Sequence, residues 1–140
     1  MTTDAAVLAR LAVGDEAPPR VFGPLSKDMF VRYAGASGDF NPMHYDDDLA
    51  RSAGYPSAFG QGMLTAALLA TFVTDWLGPW QLQRYGVRFR GQVWPGDTLT
   101  CTGRVTAVDH DHDRVTVEMS VTRPDGAVAV TGFADYRLAS

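Results

Sequence analysis

Apolar and polar residues alternate along most of the second half of the chain. The alternating segments are residues 84–90, 98–107 and 114–121. A two-residue period predicts a β-strand with one buried face. Stretches rich in proline, glycine and aspartate separate these segments, at residues 94–97, 109–113 and 123–126. This turn chemistry predicts that the strands are antiparallel neighbours.

A last strand is predicted from Ala127 towards Leu138. Its alternation slips at Thr131 and Gly132. An extra residue in one strand moves the following side chains to the other face of the sheet. We therefore expect a β-bulge at these two positions.

Residues 62–77 read GMLTAALLATFVTDWL and are apolar on nearly every helical face. Such a helix belongs in an interior, and Gly78-Pro79 ends it. A buried helix followed by an antiparallel sheet predicts an α+β fold in which the sheet wraps around the central helix. Because the edges of such a sheet invite pairing, we also expect a dimer.

The first half of the chain predicts shorter elements. Residues 1–15 are expected to be a loose lead-in. Residues 17–22 are expected to be an extended edge segment, because prolines before a strand suit an edge. Ser26 is the predicted N-cap of a helix from Lys27 to about Ala36. The three carboxylates of residues 46–48 predict the start of a short helix through Ala53, where they act as capping and dipole groups rather than metal ligands.

Composition limits the functions available. A chain of 140 residues predicts one domain, residues 1–140, and a net charge of -4 without a basic block argues against nucleic acid. One cysteine, Cys101, predicts no disulfide framework. The most apolar window is too short to span a bilayer, and the N-terminus lacks the pattern of a secretory signal. The sequence thus predicts a soluble cytoplasmic protein that does not bind membranes.

The stretch DFNPMH, Asp39–His44, places an acid and an imidazole five residues apart. On an α-helix this separation is about 500°, so the two side chains would diverge. On a strand they would lie on opposite faces. They converge only if the chain turns between them, and Asn41-Pro42 favours a turn.

Two interpretations of this stretch are open. Asp39 caps a turn and His44 satisfies a local hydrogen bond, or the pair performs chemistry. The second is favoured by the water-excluding neighbours Phe40 and Met43 and by Gly60-Gln61-Gly62, which precedes the central helix. A His/Asp pair can hold a water molecule and move protons near neutral pH. The free amide of Gly62 at the helix start can stabilise charge on a carbonyl oxygen.

DFNPMHYDDDLARSAGY followed by FGQGMLTAALLATFV resembles the MaoC-like, (R)-specific enoyl-CoA hydratase family of the hotdog fold. The similarity extends from about residue 27 to about residue 138 and includes Arg88-Phe89 and Pro95-Gly96-Asp97. One position departs from it, because Gln61 stands where the family has a histidine.

The resemblance implies a hotdog domain with an overhanging catalytic loop and reversible hydration of a trans-2-enoyl thioester to a (3R)-3-hydroxyacyl thioester. Asp39 and His44 would hold the catalytic water, Gly62 would bind the thioester oxygen, and Asn41 and Pro42 would shape the loop. The remaining expected substrate contacts are Gln61, Met63, Phe40 and Arg88. The substrate carrier would be coenzyme A or an acyl carrier protein, without a metal ion or other cofactor, in a homodimer or heterodimer.

Two rival functions remain open. A hotdog acyl-CoA thioesterase would use a helix carboxylate, which Asp75 could mimic, although Asp75 lies far from Gly62 on the predicted helix. A non-catalytic partner subunit of a heteromeric hydratase is compatible with Gln61, whereas the intact Asp39 and His44 argue against it.

Overall fold

An antiparallel sheet of five strands packs against one long helix in the computed structural model, which describes residues 4–138. The strands are β1 (Arg20–Phe22), β2 (Leu82–Phe89), β3 (Leu99–Asp109), β4 (Arg114–Thr122) and β5 (Val128–Arg137). The helices are α1 (Asp4–Leu8), α2 (Lys27–Ser37), α3 (Asp47–Ser52) and α4 (Gly62–Leu77), with a 3₁₀ helix at Pro42–His44. The strand order is β1-β3-β4-β5-β2. The predicted α+β architecture is confirmed.

The core lies between α4 and the inner face of the sheet. Leu69, Phe72 and Val73 of α4 are buried, as are the alternate apolar residues of β3 and β4. Two glycines in the strands allow the helix to approach closely. A Cβ added at Gly103 would lie 3.0 Å from the Phe72 ring, and one added at Gly132 would lie 3.0 Å from Leu69. The sheet therefore touches the helix through its backbone at these two points.

The prediction that α4 is interior on all sides is only partly correct. One side of the helix faces the sheet, whereas a stripe of Met63, Ala67, Thr71 and Asp75 is exposed. Three of these four side chains are small or polar, which explains why one chain tolerates the exposure. Among residues 4–138, no helix is both long and apolar enough to cross a membrane.

The two predicted helix starts in the first half are confirmed. The Ser26 hydroxyl accepts a hydrogen bond from the Met29 amide at 3.2 Å and caps α2. The Asp46 carboxylate accepts hydrogen bonds from the amides of Asp48 and Leu49 and caps α3. Both are standard N-cap bonds, and they fix where the two helices begin.

The prediction of a loose lead-in is wrong from residue 4 onward, and residues 1–3 lie outside the described part of the chain. Residues 4–8 form α1, and Leu8 is fully buried in the core. Farther along, the Gly14 amide donates to the Val105 carbonyl and the Val105 amide donates to the Asp15 carbonyl, each at 2.9 Å. Residues 4–15 are thus held by Leu8, by Val7 and Leu11 packed against the core, and by pairing with β3.

The bulge in β5 lies before the predicted position. Val121 pairs with Val130 and Thr122 pairs with Val128, so the extra residue is Ala129, while Thr131 and Gly132 are in regular register. The irregular pattern at Gly132 instead reflects its close contact with Leu69.

A second irregularity lies in β3, where the register shifts between Val105 and Ala107. It turns Ala107 outward, against the predicted alternation, and leaves Val108 partly buried against the core.

Asp47 connects three segments around the loop that precedes α4. Its carboxylate accepts hydrogen bonds from Lys27 Nζ at 2.7 Å and from the Ala58 amide at 2.9 Å. The hydrogen bond from Lys27 is the main reason that the pKa of Asp47 lies below its ordinary value, and the Ala58 amide adds to the effect. The start of α2, the start of α3 and residue 58 are thereby held together.

We expect Gly23→Ala to destabilise the protein more than Gly126→Ala, as measured by chemical denaturation. Both glycines have positive φ, 124° at Gly23 and 82° at Gly126, which costs an alanine about 1–2 kcal/mol. At Gly23 an added Cβ would also lie 2.7 Å from the Asp97 carbonyl oxygen, whereas nothing lies within 4 Å at Gly126. The additional clash should cost about 1–3 kcal/mol. Equal losses in the two variants would contradict this packing.

We expect Asp47→Asn to lower the melting temperature at neutral pH, because it removes the charge that faces Lys27. A carboxyl group whose folded pKa is depressed contributes stability above its unfolded pKa, here 3.8, and that stability is lost as the pH falls through the folded value. The difference from wild type should therefore shrink below pH 3.8. The control is Asp48→Asn, which removes an exposed carboxylate from the same helix start and should have a smaller effect. A pH-independent difference for Asp47→Asn would refute the assignment.

Candidate active site

The loop after α2 is shaped by two side chains that bond to the backbone just ahead of them. Helix α2 ends at Ser37 and is capped by Gly38, which has a left-handed conformation. Asp39 Oδ1 then accepts a hydrogen bond from the Asn41 amide at 3.3 Å, and Asn41 Oδ1 accepts one from the Met43 amide at 3.1 Å. Pro42 begins the 3₁₀ helix that carries His44. These turns reverse the chain between the acid and the imidazole.

The imidazole of His44 is buried and its orientation is fixed by a backbone carbonyl. Its Nδ1 lies 2.8 Å from the Phe59 carbonyl oxygen, and the ring packs edge-on against the Phe59 ring with the centroids 5.3 Å apart. Because a carbonyl only accepts hydrogen bonds, Nδ1 carries the hydrogen. In the neutral ring, the lone pair therefore lies on Nε2.

Asp39 and His44 face each other. His44 Nε2 lies 3.5 Å from Asp39 Oδ2, and the His44 side chain is 10% exposed whereas that of Asp39 is 46% exposed. This separation is longer than a direct hydrogen bond. Both atoms are thus available to a third group beside the pair, and the carboxylate opens to solvent while the imidazole is enclosed.

The segment before α4 is attached to the His44 loop by its backbone. The Phe59 amide donates to the Met43 carbonyl at 3.3 Å, and the Gly60 amide donates to the Val93 carbonyl at 2.9 Å. Helix α4 begins two residues later at Gly62. The first amides of a helix have no intrahelical acceptor and form its positive end. The carbonyl that orients His44 is therefore three residues from the free amide of Gly62.

Strand β2 holds the first turns of α4 from the sheet side. The Tyr85 hydroxyl donates to the Ala66 carbonyl at 2.6 Å, and burial raises the pKa of Tyr85 to about 12, so this donor stays protonated. The Phe89 ring lies against Gly62, where an added Cβ would be 3.0 Å from it. A larger residue than glycine at position 62 would therefore displace the Phe89 ring by a few tenths of an ångström.

The structure brings some of the remaining predicted contacts to this region but not all of them. Phe40 and Met63, 63% and 58% exposed, adjoin Asp39 and Gly62 in the chain. Gln61 is only 1% exposed, and its Nε2 donates to the Phe30 carbonyl at 2.8 Å. Arg88 pairs with Thr131 on β5 and faces the outer side of the sheet, whereas the neighbouring Phe89 faces Gly62. Contact of these four residues with a substrate stays a prediction.

Sequence reasoning missed two residues on which the site depends. Phe59 acts through its carbonyl oxygen, which no side-chain pattern reveals. Phe89 occupies an ordinary apolar position in an alternating strand, and only the packing of β2 against α4 shows that its ring lies against Gly62.

A trough of about 830 Å³ lies on the outer face of the sheet, and Arg88 is the one predicted site residue that lines it. Glu16, Arg104, Glu118 and Phe133 are among the side chains along it, and its floor includes Gly103. Neither Asp39, His44 nor Gly62 lines it. The candidate site is therefore identified by its chemistry and not by cavity size.

Sequence comparisons relate the chain to known proteins. A family profile described as MaoC like domain matches residues 11–126. The chain is 32% identical over 113 residues to the (R)-specific enoyl-CoA hydratase of Aeromonas caviae, covering 76% of this chain and 81% of that protein. It is 38% identical over 74 residues to the Peroxisomal hydratase-dehydrogenase-epimerase of Saccharomyces cerevisiae, covering 53% of this chain but only 8% of that longer protein.

Solved structures share the fold. The (R)-hydratase from A. caviae involved in PHA biosynthesis superimposes with a TM-score of 0.82 at 28% identity, over 93% of this chain and 98% of that chain. A chain of the ChsH1-ChsH2 complex from Mycobacterium tuberculosis gives 0.81 at 28% identity, over 91% and 98%. These matches confirm the hotdog arrangement of sheet and central helix. The chain belongs to the MaoC-like domain family.

Proposed function

We propose that the protein adds water to trans-2-enoyl thioesters to give (3R)-3-hydroxyacyl thioesters, or catalyses the reverse dehydration. The observation that carries the proposal is the pair formed by Asp39 Oδ2 and His44 Nε2, 3.5 Å apart, with the imidazole oriented by Phe59. The similarity to the A. caviae (R)-specific enoyl-CoA hydratase supports it.

In the proposed reaction, Asp39 and His44 hold one water molecule between them and the substrate. The water oxygen forms a bond to C3 as the C2=C3 double bond opens, and a member of the pair takes the proton that the water loses. The pair then delivers a proton to C2 on the same face. Nε2 of neutral His44 is available as an acceptor because Nδ1 donates to Phe59. Either member of the pair is a candidate for each proton step.

Negative charge builds on the thioester oxygen as water adds to C3. In the proposal the Gly62 amide, at the positive end of α4, donates a hydrogen bond to that oxygen. The Phe89 ring lies beside Gly62. Addition of water changes no oxidation state overall, so the proposed reaction needs no redox cofactor.

The exposed apolar side chains suggest where the substrate lies. Phe40, Met63 and Phe89 are each more than half exposed, and they adjoin Asp39 or Gly62 in the chain or in space. We assign these three to the acyl group and the thioester arm. Arg88 lies on the outer side of the edge strand β2. A substrate carrier that passes around this edge would bring its phosphate groups to Arg88. Coenzyme A and an acyl carrier protein both supply such phosphates.

A second chain is part of the proposal. Strand β2 is an edge strand of eight residues, long enough to pair with another chain. The stripe of α4 at residues 63, 67, 71 and 75 is also exposed in one chain. The structural likeness to the ChsH1-ChsH2 complex makes a heterodimer an alternative to a homodimer, with this chain as one hydratase subunit.

The rival thioesterase function receives less support. Asp75 lies in the last turn of α4, 13 residues from Gly62 or about 20 Å along the axis, and it forms an ion pair with Arg20 of β1. Its carboxylate is therefore engaged at the opposite end of the helix from the proposed thioester site.

We expect purified protein to remove the ultraviolet absorbance of crotonyl-CoA or a longer enoyl-CoA without releasing free thiol. Asp39→Asn and His44→Ala should each lower kcat by about 10²–10⁴, the usual contribution of a general acid–base group. The matched controls are Asp109→Asn and His112→Ala, because these residues form another Asp/His pair, with 2.9 Å between His112 Nδ1 and Asp109 Oδ2, on the exposed β3–β4 turn. Both controls should keep the wild-type rate.

Three outcomes would contradict the proposal. Release of free thiol at the rate of substrate loss would indicate a thioesterase. Activity that survives both Asp39→Asn and His44→Ala would remove the pair from the reaction. Inactivity of the folded chain on every enoyl thioester, with activity only in a partner chain, would make this chain a structural subunit.

In solution, we expect the chain to have the mass of two chains, each 15.2 kDa, because β2 and α4 both expose surface that pairing would cover. Light scattering coupled to size-exclusion chromatography measures this directly. A fully active monomer would show that the exposed edge and stripe need no partner.

A further inference from the structure

Gln61 is a buried polar residue that the proposed reaction does not use. Its side chain is completely enclosed, and Nε2 donates to the Phe30 carbonyl at 2.8 Å across 31 positions of the sequence. Its Oε1 is also buried and has no hydrogen-bond partner among residues 4–138. An apolar side chain of the same shape would avoid the cost of that oxygen, so packing alone does not account for a glutamine here.

The bond from Gln61 connects the two elements that carry the reacting groups. Phe30 lies in α2, and α2 leads directly through Gly38 into Asp39. Gln61 is the residue before Gly62 and the N-cap of α4, but its side chain makes no capping bond to that helix. One amide thus links the element that ends at the carboxylate to the element that begins at the candidate oxyanion donor.

The neighbouring residues hold the imidazole, and the Phe30 ring of α2 packs beside Gly60. His44 Nδ1 donates to the carbonyl of Phe59, two residues before Gln61. Residues 59–62 are therefore hydrogen-bonded to His44 through the Phe59 carbonyl and to α2 through the Gln61 side chain. Without the hydrogen bond from Gln61, α2 would keep the bond between Lys27 and Asp47 and the packing of the Phe30 ring, and would lose its only described hydrogen bond to the segment before α4.

We infer that Gln61 is a positioning residue: its amide sets Asp39 relative to the Gly62 amide and does not itself contact the substrate. The inference rests on the proposed function for its kinetic consequence. Because an amide does not ionise, it leaves proton transfer to Asp39 and His44 alone. The requirement at this position is a hydrogen-bond donor of suitable reach, which a histidine also supplies.

The test compares Gln61→Met, which keeps the shape but lacks a donor, with Gln61→His, which keeps a ring N–H donor. Gln61→Met should lower kcat by about 10–100-fold, the effect of misplacing reacting groups by a fraction of an ångström to an ångström, while KM stays close to wild type. Gln61→His should recover most of kcat. The control is Gln83→Met, because Gln83 is an exposed glutamine that also donates to a backbone carbonyl, that of Gln81 at 3.5 Å.

A second readout does not depend on turnover. In Gln61→Met the NMR signals of the Asp39 amide and the His44 ring should shift, whereas in Gln83→Met they should stay in place. A rise in KM with unchanged kcat would make Gln61 a substrate contact and overturn the inference. Equal losses in the Met and His variants, or unshifted signals in Gln61→Met, would also overturn it. If the wild-type protein were inactive but the signals still shifted in Gln61→Met, the proposed hydration would be wrong and the positioning role would stand.

Discussion

The hydrogen bond from His44 Nδ1 to the Phe59 carbonyl is the interaction on which the candidate site depends. It fixes the tautomer, because the carbonyl accepts only and the other ring nitrogen is left with the lone pair. It also fixes the direction of that lone pair, which faces Asp39 Oδ2. Since Phe59 lies three residues before Gly62, the same bond relates the imidazole to the start of α4. One contact thus sets the orientation of the imidazole, which of its nitrogens carries the hydrogen, and the position of Nε2 as a candidate proton acceptor.

The fold supplies the rigid surroundings that this contact needs. Strand β2 holds α4 through the Tyr85 hydroxyl and the Phe89 ring. On the other side, Asp47 holds the starts of α2 and α3 and the segment before α4 through Lys27 and the Ala58 amide. The loop that carries Asp39 and His44 is irregular, but each of its neighbours is anchored to a regular element. A loop between fixed ends places side chains with little loss of conformational entropy on binding.

Much of this arrangement was predictable from local patterns. The helix at 62–77 and the strands follow from periodicity, and Ser26 and Asp46 follow from capping chemistry. The convergence of Asp39 with His44 follows from the turn at Asn41-Pro42. The predictions that failed concern features that depend on contacts between distant segments. Leu8 is held in place by its burial in the core. The irregular alternation at Gly132 reflects the approach of Leu69 rather than a bulge. The roles of the Phe59 carbonyl, Phe89 and Asp47 also require the tertiary structure, because none is visible in a run of neighbouring residues.

The tautomer of His44 is the most direct test of the account. Nitrogen-15 NMR of the imidazole distinguishes a protonated Nδ1 from a protonated Nε2 in the neutral ring. The hydrogen bond to Phe59 predicts the hydrogen on Nδ1, with a through-bond coupling to the Phe59 carbonyl, and an unprotonated Nε2 facing Asp39. A neutral ring with its hydrogen on Nε2 would contradict this orientation, because Nδ1 would have no hydrogen to donate to Phe59 and Nε2 would be unavailable to accept a proton.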